Sequence, residues 1–365
     1  MEYTYTGMFT HIIGKSIDGL FVTDSTNIRY LTGFNGVSPT EREAFTLVTA
    51  ESVYLFTSAL YKEAAMALVR PGILWKEIGR DNPVSQILLR LCALHHITRL
   101  GFEDVNLTVS EHRKIQDVLT DIILIPTQNK IEIQRMKKTP TEIKHIRAAA
   151  SLTDRCFDYI VPLIKPGVTE SEITSEISEF FREFDAENAF SPIVAFGKNT
   201  SMPHYGLSHI SRAACQTNDI VLLDFGARVK GYCSDMTRMV FVGSILPERK
   251  HAYESVLRAN MKAIELLKEG VRNGATLDAA AQEIIAEASL PVYPHSLGHA
   301  VGLDIHEAPR ITIKKEETLY PSMAITVEPG TYTEGSFGIR IEDLIHIQND
   351  GIDVLSHSPK TLTIV

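Results

Sequence analysis

Four acids stand where the surrounding pattern calls for apolar residues. Asp224 follows Ile-Val-Leu-Leu and Asp235 comes eleven positions later; Glu328 follows Ala-Ile-Thr-Val and Glu342 comes fourteen later, inside Ile-Arg-Ile-Glu-Asp-Leu-Ile. Burying a carboxylate is costly unless it is paired or bound to a cation. The two stretches, DIVLLDFGARVKGYCSDMTRMVFVG and AITVEPGTYTEGSFGIRIEDLIHI, read as hairpins turning near Lys230-Gly231 and near Glu334-Gly335-Ser336. Glu328 and Glu342 are symmetric about Gly335. Asp224 and Asp235 are nearly symmetric about the first turn, and one bulge would set them side by side.

Paired carboxylates in an apolar strand pair repel unless they are protonated or neutralised. One or two divalent cations would neutralise both pairs, and a histidine would complete an oxygen-rich ligand set. The alternative is ordinary ion pairing with Arg238 or Arg340. A source of imidazole lies between the hairpins: HSLGHAVGLDIHE, His295 to Glu307, holds three of the chain's thirteen histidines. A helical zinc-protease motif would need Glu after the first His of HxxxH, where this chain has Ser296, and Gly298 and Gly302 also disfavour helix. As a strand or loop, the segment puts His295 and His299 on one face and His306 on the other, unless the chain bends at Gly302. Thr237, in SDMTR, is expected to support Asp235.

These side chains need a scaffold, and the chain reads as α+β. The first part alternates short strands and helices: DGLFVTD near 19 to 24, AFTLVTAESVYLFTSA broken at Ala50 to Ser52, a helix after Ser58, LGFED near 100, then IILIPTQN. This predicts a smaller α/β domain over 1–130 and a second domain over 131–365. Thr139-Pro140-Thr141-Glu142 is a capping box with proline at N1, opening a long helix to about Ile164. Thr169 to Glu172 opens another, and further helices are expected at about 247–269 and 277–288.

The totals narrow the function. The chain has 365 residues, 22% of them charged, and a net charge of -9. That balance argues against nucleic acid, which calls for a basic face. Cys92, Cys156, Cys215 and Cys233 contain no CxxC pair, so neither a disulfide framework nor a thiolate zinc site is expected, and reduced thiols fit a cytoplasmic protein. No apolar run reaches the length of a membrane span and the N-terminus does not read as a signal peptide, so no membrane partner is expected.

Taken together, LLDFGARVKGYCSDMTR, HSLGHAVGLDIHEAP, TVEPGTY and GIRIEDL resemble the ordered metal-site motifs of the proline-specific peptidases related to methionine aminopeptidase, with the pita-bread fold. DGLFVTDSTNIRYLTGFNG is similar to the opening of the aminopeptidase P and prolidase branch. The resemblance implies a creatinase-like N-terminal domain and a pita-bread catalytic domain. It implies five metal ligands, Asp224, Asp235, His299, Glu328 and Glu342, with Asp235 and Glu342 bridging two divalent ions. Manganese is expected among one imidazole and four carboxylates, with cobalt or zinc as substitutes. His204, His295 and His306 match active-site histidines, and Arg340 matches an arginine near the last Glu. The implied activity is removal of the N-terminal residue from Xaa-Pro peptides, with an Xaa-Pro dipeptidase as alternative and a non-catalytic binding protein as a further one. Glu328 is the expected general base; His204, His295 and His306 act on the substrate, and His204, His295 and Arg340 bind it. A homodimer is expected on the resemblance alone.

Overall fold

A computed structural model describes residues 12–36, 41–206 and 213–365. The chain forms two compact units, Met1–Arg135 and Met136–Val365. The helix Lys130–Met136 goes with the first of them, since Arg135 donates to Asn27 Oδ1 at 2.8 Å.

The first unit is built on one mixed sheet in the order β4 (Ile73–Ile78), β3 (Val53–Ser58), β2 (Ala44–Thr49), β1 (Gly19–Val22), β5 (Arg99–Glu103), β6 (Ile123–Thr127). The polar break at Ala50 to Ser52 makes the β2–β3 turn, and β5 and β6 run parallel to β1. Phe21, Leu47, Phe56, Leu88 and Leu100 form its core.

In the second unit, helices Pro140–Ile160 and Glu170–Glu183 begin at the expected capping boxes: Thr139 and Thr169 each accept from the amide three residues on, and Glu142 and Glu172 reach back. The first helix stops at Ile160 and not at Ile164, followed by a tighter turn over Val161–Leu163. Pro162 has no amide to continue the α ladder, so the last turn takes up the i→i+3 pattern. The last helix begins at Gly274, earlier than expected, because Asn273 caps it by accepting from the Thr276 amide.

These helices cover two sheets. One runs β20 (Thr363–Ile364), β12 (Met236–Phe241), β9 (Ile220–Phe225), β8 (Ile193–Phe196). The other runs β14 (Glu307–Ile311), β13 (Gly298–Ala300), β15 (Ala324–Val327), β18 (Asp343–Gln348), β19 (Gly351–Val354). Short strands extend the hairpins: β10 (Ala227–Val229) with β7 (Glu187–Asn188) and β11 (Tyr232–Cys233), and β16 (Gly330–Thr333) with β17 (Phe337–Arg340). Phe157, Ile177 and Phe181 pack under Leu223, Phe225 and Val240. Val256, Leu277 and Ile285 pack with Ile325, Ile345 and Ile347. Burying such a side chain contributes roughly 1.5–3 kcal/mol, and these rows fix the strands on which the polar residues stand. Among the described residues no helix is long and apolar enough to cross a membrane.

Candidate metal centre

Both hairpins form, and their registers decide which acids meet. In the second, Val327 faces Asp343 and Gly330 faces Arg340, so one continuous register sets Glu328 opposite Glu342, as the symmetry about Gly335 predicts. In the first, Lys230 and Gly231 both take left-handed φ, 51° and 91°, forming a two-residue turn that matches the strand twist. That turn pairs Val229 with Tyr232 and Asp224 with Thr237, with no bulge between. Asp224 and Asp235 are therefore diagonal neighbours on one face, not opposite partners. Thr237 also serves a different acid from the one expected: its hydroxyl donates to Glu342 Oε2 at 2.7 Å.

His299 lies on β13, a strand as expected, with its ring Nε2 3.6 Å from Asp235 Oδ2 and 3.4 Å from Glu328 Oε1. Its Nδ1 is 3.1 Å from the Ala300 carbonyl, which only accepts, so the proton sits on Nδ1 and Nε2 presents a lone pair. Burial, and then the His306 charge, push His299 down to about 3, so this ring is neutral and its approach to the acids is not an ion pair. Ligand atoms of Asp235, His299 and Glu342 lie within 4.8 Å of one another. Among the described residues, Asp235 Oδ1 and Glu342 Oε1 are buried without a hydrogen-bond partner.

Electrostatics point the same way. Burial lifts Asp235 well above the usual carboxylate range, and Glu342, Asp224 and Glu328 push it further. Burial and the Glu342 charge do the same to Glu328. Glu342 is pushed up to about 8, by burial first and then by Asp224, against Arg340 and the Thr237 hydrogen bond. Burial outweighs the Arg340 guanidinium in raising Asp224, although that guanidinium donates to its Oδ2 at 2.6 Å. Acceptors facing acceptors, with orphaned oxygens and a neutral imidazole, fit cations: four carboxylates and one nitrogen form a hard, oxygen-rich donor set.

The ligand candidates line a cavity of about 270 Å³ together with His204, His295, His306, Arg310 and Arg340. His306 joins its face because the chain bends after His299; the two rings meet edge to face with centroids 4.5 Å apart. His204 reaches the cavity from the exposed turn after Gly197–Ser201. Arg340 spends its donors inside the protein, on Asp224, on Thr237 Oγ1 at 3.0 Å, on Tyr332 Oη at 2.9 Å and on the Pro203 carbonyl at 3.3 Å. Arg238, the other candidate partner for a strand acid, instead pairs with Asp343 at 2.7 Å.

Two residues at the cavity, Tyr332 and Arg310, escaped the sequence reading. Tyr332 Oη accepts from Arg340 and lies 3.0 Å from His295 Nε2, while His295 Nδ1 lies 2.8 Å from the Ser296 carbonyl. Arginine only donates and a carbonyl only accepts, so the chain runs Arg340 to Tyr332 to His295 to Ser296, and both nitrogens of His295 are engaged within the protein. Burial, with the Arg340 charge, pushes His295 down to about 4, in keeping with its accepting role. The signal for Tyr332 was its place four residues after Glu328, on the same face of an extended strand. Arg310 lies across from His299 in the β13–β14 ladder, a pairing that the sequence does not mark.

The sequence pattern of metallopeptidase family M24 matches residues 144–349, and that of the creatinase/prolidase N-terminal domain matches residues 11–137. The chain is 34% identical over 351 residues to the uncharacterized peptidase YqhT of Bacillus subtilis (strain 168), covering 96% of each. Among solved structures it resembles an Xaa-Pro dipeptidase from Bacillus anthracis (TM-score 0.89, 32% identity, 99% of both chains). It also resembles an X-Pro aminopeptidase from Thermotoga maritima MSB8 (TM-score 0.85, 29% identity, 96% of this chain and 98% of that one). Motifs, strand registers and an acceptor-rich cavity thus coincide with a match over more than half the sequence, and the chain belongs to metallopeptidase family M24, with a creatinase/prolidase-type domain ahead of the peptidase domain.

Proposed function

We propose that this chain hydrolyses the peptide bond between a first residue and a proline, using two divalent cations held by Asp224, Asp235, His299, Glu328 and Glu342. The observation that carries this reading is the pair of orphaned buried oxygens, Asp235 Oδ1 and Glu342 Oε1, beside the lone pair of a neutral His299. The donor set favours manganese. Cations bound there supply Lewis-acid polarisation of the scissile carbonyl and a lowered pKa for the attacking water. Glu328, at the edge of the set, takes up the proton of that water. His306 and His204 face the same cavity and donate to the developing oxyanion and to the departing proline nitrogen, which carries no proton of its own in the peptide. Arg340, backed by Tyr332 and His295, orients Asp224.

On substrate length, Arg310 favours the dipeptide over the longer chains expected of an aminopeptidase. Its guanidinium lines the cavity with no ion pair among the described residues, and its charge helps to lower His306. In an Xaa-Pro dipeptide the proline carboxylate lies one residue from the scissile bond and can take that cation. Arg310→Leu should raise KM for Ala-Pro about 10-fold or more, with little change for Ala-Pro-Ala. An equal effect on both peptides would return the assignment to the aminopeptidase. The buried cysteines support a reducing, cytoplasmic setting, and a homodimer, which sedimentation would test, rests on the resemblance alone.

A further inference from the structure

His306 stands on the loop between β13 and β14, and that loop folds around one carboxylate. Glu307 Oε1 accepts from the Asp304 amide at 3.3 Å, and the Gly302 amide donates to the Asp304 carbonyl at 3.0 Å. A Cβ at Gly302 would run into the Glu307 carboxylate, so the glycine leaves room for that carboxylate against the loop. The other oxygen, Glu307 Oε2, accepts from Lys138 Nζ at 3.0 Å, with the two side chains 1% and 6% exposed. Lys138 is anchored independently: its amide donates to the Ser322 carbonyl at 2.8 Å, just before the helix Pro140–Ile160. A carboxylate this buried keeps its charge and place only with a cation beside it.

We propose that Lys138 is a positioning residue: through its buried ion pair with Glu307 it shapes the loop from Gly302 to His306 and so sets the His306 imidazole against His299. Cys233 ties the loop's start as well, its amide donating to the Gly302 carbonyl at 2.8 Å and its thiol to the Leu303 carbonyl at 3.6 Å, and these bonds keep that end in place when the ion pair is removed. The loop end that carries His306 has the carboxylate as its mould. This deepens the peptidase reading and rests on it for the role of His306.

The test combines hydrogen exchange by mass spectrometry with kinetics of the manganese-loaded enzyme on Ala-Pro. In Lys138→Met, amide exchange should speed up over 302–307 and nowhere else, and kcat should fall about 10- to 100-fold through misplacement of one group. KM and manganese affinity should stay within about twofold. Lys138→Arg should restore both exchange and kcat, and in a His306→Ala background Lys138→Met should cost nothing further, because the two act as a unit. Unchanged loop exchange, or a full additional loss in His306→Ala, would overturn the proposal. If Lys138→Met unfolds, seen as exchange rising throughout Met136–Val365, then Glu307→Gln must show the same confined loosening, and its absence overturns the proposal. Confined loosening in a protein whose wild type cleaves neither Ala-Pro nor Ala-Pro-Ala would refute the peptidase reading while supporting the role of Lys138 in shaping the loop.

Discussion

Glu342 has two unlike oxygens: Oε2 takes the Thr237 hydroxyl at 2.7 Å, and Oε1 is buried with no partner among the described residues. Such asymmetry costs about 1–3 kcal/mol in an apolar setting and is offset when a cation meets the free oxygen. Glu342→Ala, and likewise Asp224→Ala, should therefore abolish both tight manganese binding by calorimetry and turnover; normal activity in either variant contradicts the ligand set. The thiols follow the opposite logic. Burial pushes Cys92 and Cys233 up to about 12 and Cys215 up to about 11, and raises Cys156 as well. A thiol is nucleophilic only as the thiolate, so iodoacetamide at pH 8 should label none of the four in the folded protein and all four in urea. Fast labelling of one cysteine in native buffer would show that it is not buried as described.

At the scale of elements, the strands work because small residues let them meet closely. A Cβ on Gly298 would collide with the Thr326 carbonyl oxygen, and Gly298 directly precedes His299. Gly298→Ala should lower stability by about 1–3 kcal/mol and weaken metal binding at the same time, since the strand that must shift carries the imidazole. A variant with lowered melting temperature but unchanged manganese affinity would separate strand packing from ligand placement. Elements of this kind were legible where a local rule sufficed. Apolar runs located β9, β12, β15 and β18, the boxes at Thr139 and Thr169 located two helix starts, and symmetry about Gly335 placed Glu328 opposite Glu342. The pairing of Asp224 with Thr237 was not legible, because a bulge and a plain two-residue turn are both compatible with the same letters. Tyr332, Arg310 and Lys138 were missed for a related reason. Each acts through a partner at least eight positions away in sequence, and which groups meet across such a distance is set by packing.

Across the whole molecule, a net charge of -9 sits on a chain whose second unit gathers four carboxylates about one cavity. Holding those acids together is worthwhile for a protein only if something positive joins them, and a ligand that binds the folded state alone stabilises it by mass action. The first unit has its own sheet and core, and the family match assigns it to the creatinase/prolidase type. The proposed activity stands on the cavity binding cations and using them to cleave an Xaa-Pro bond. The most direct test is release of the first residue from Ala-Pro and from Ala-Pro-Ala by metal-stripped protein, with and without added manganese. The stripped protein should cleave neither peptide, and added manganese should bring cleavage of Ala-Pro in preference to Ala-Pro-Ala. Cleavage that is equally fast in the stripped protein, or none from either peptide with manganese bound, would contradict the proposed activity.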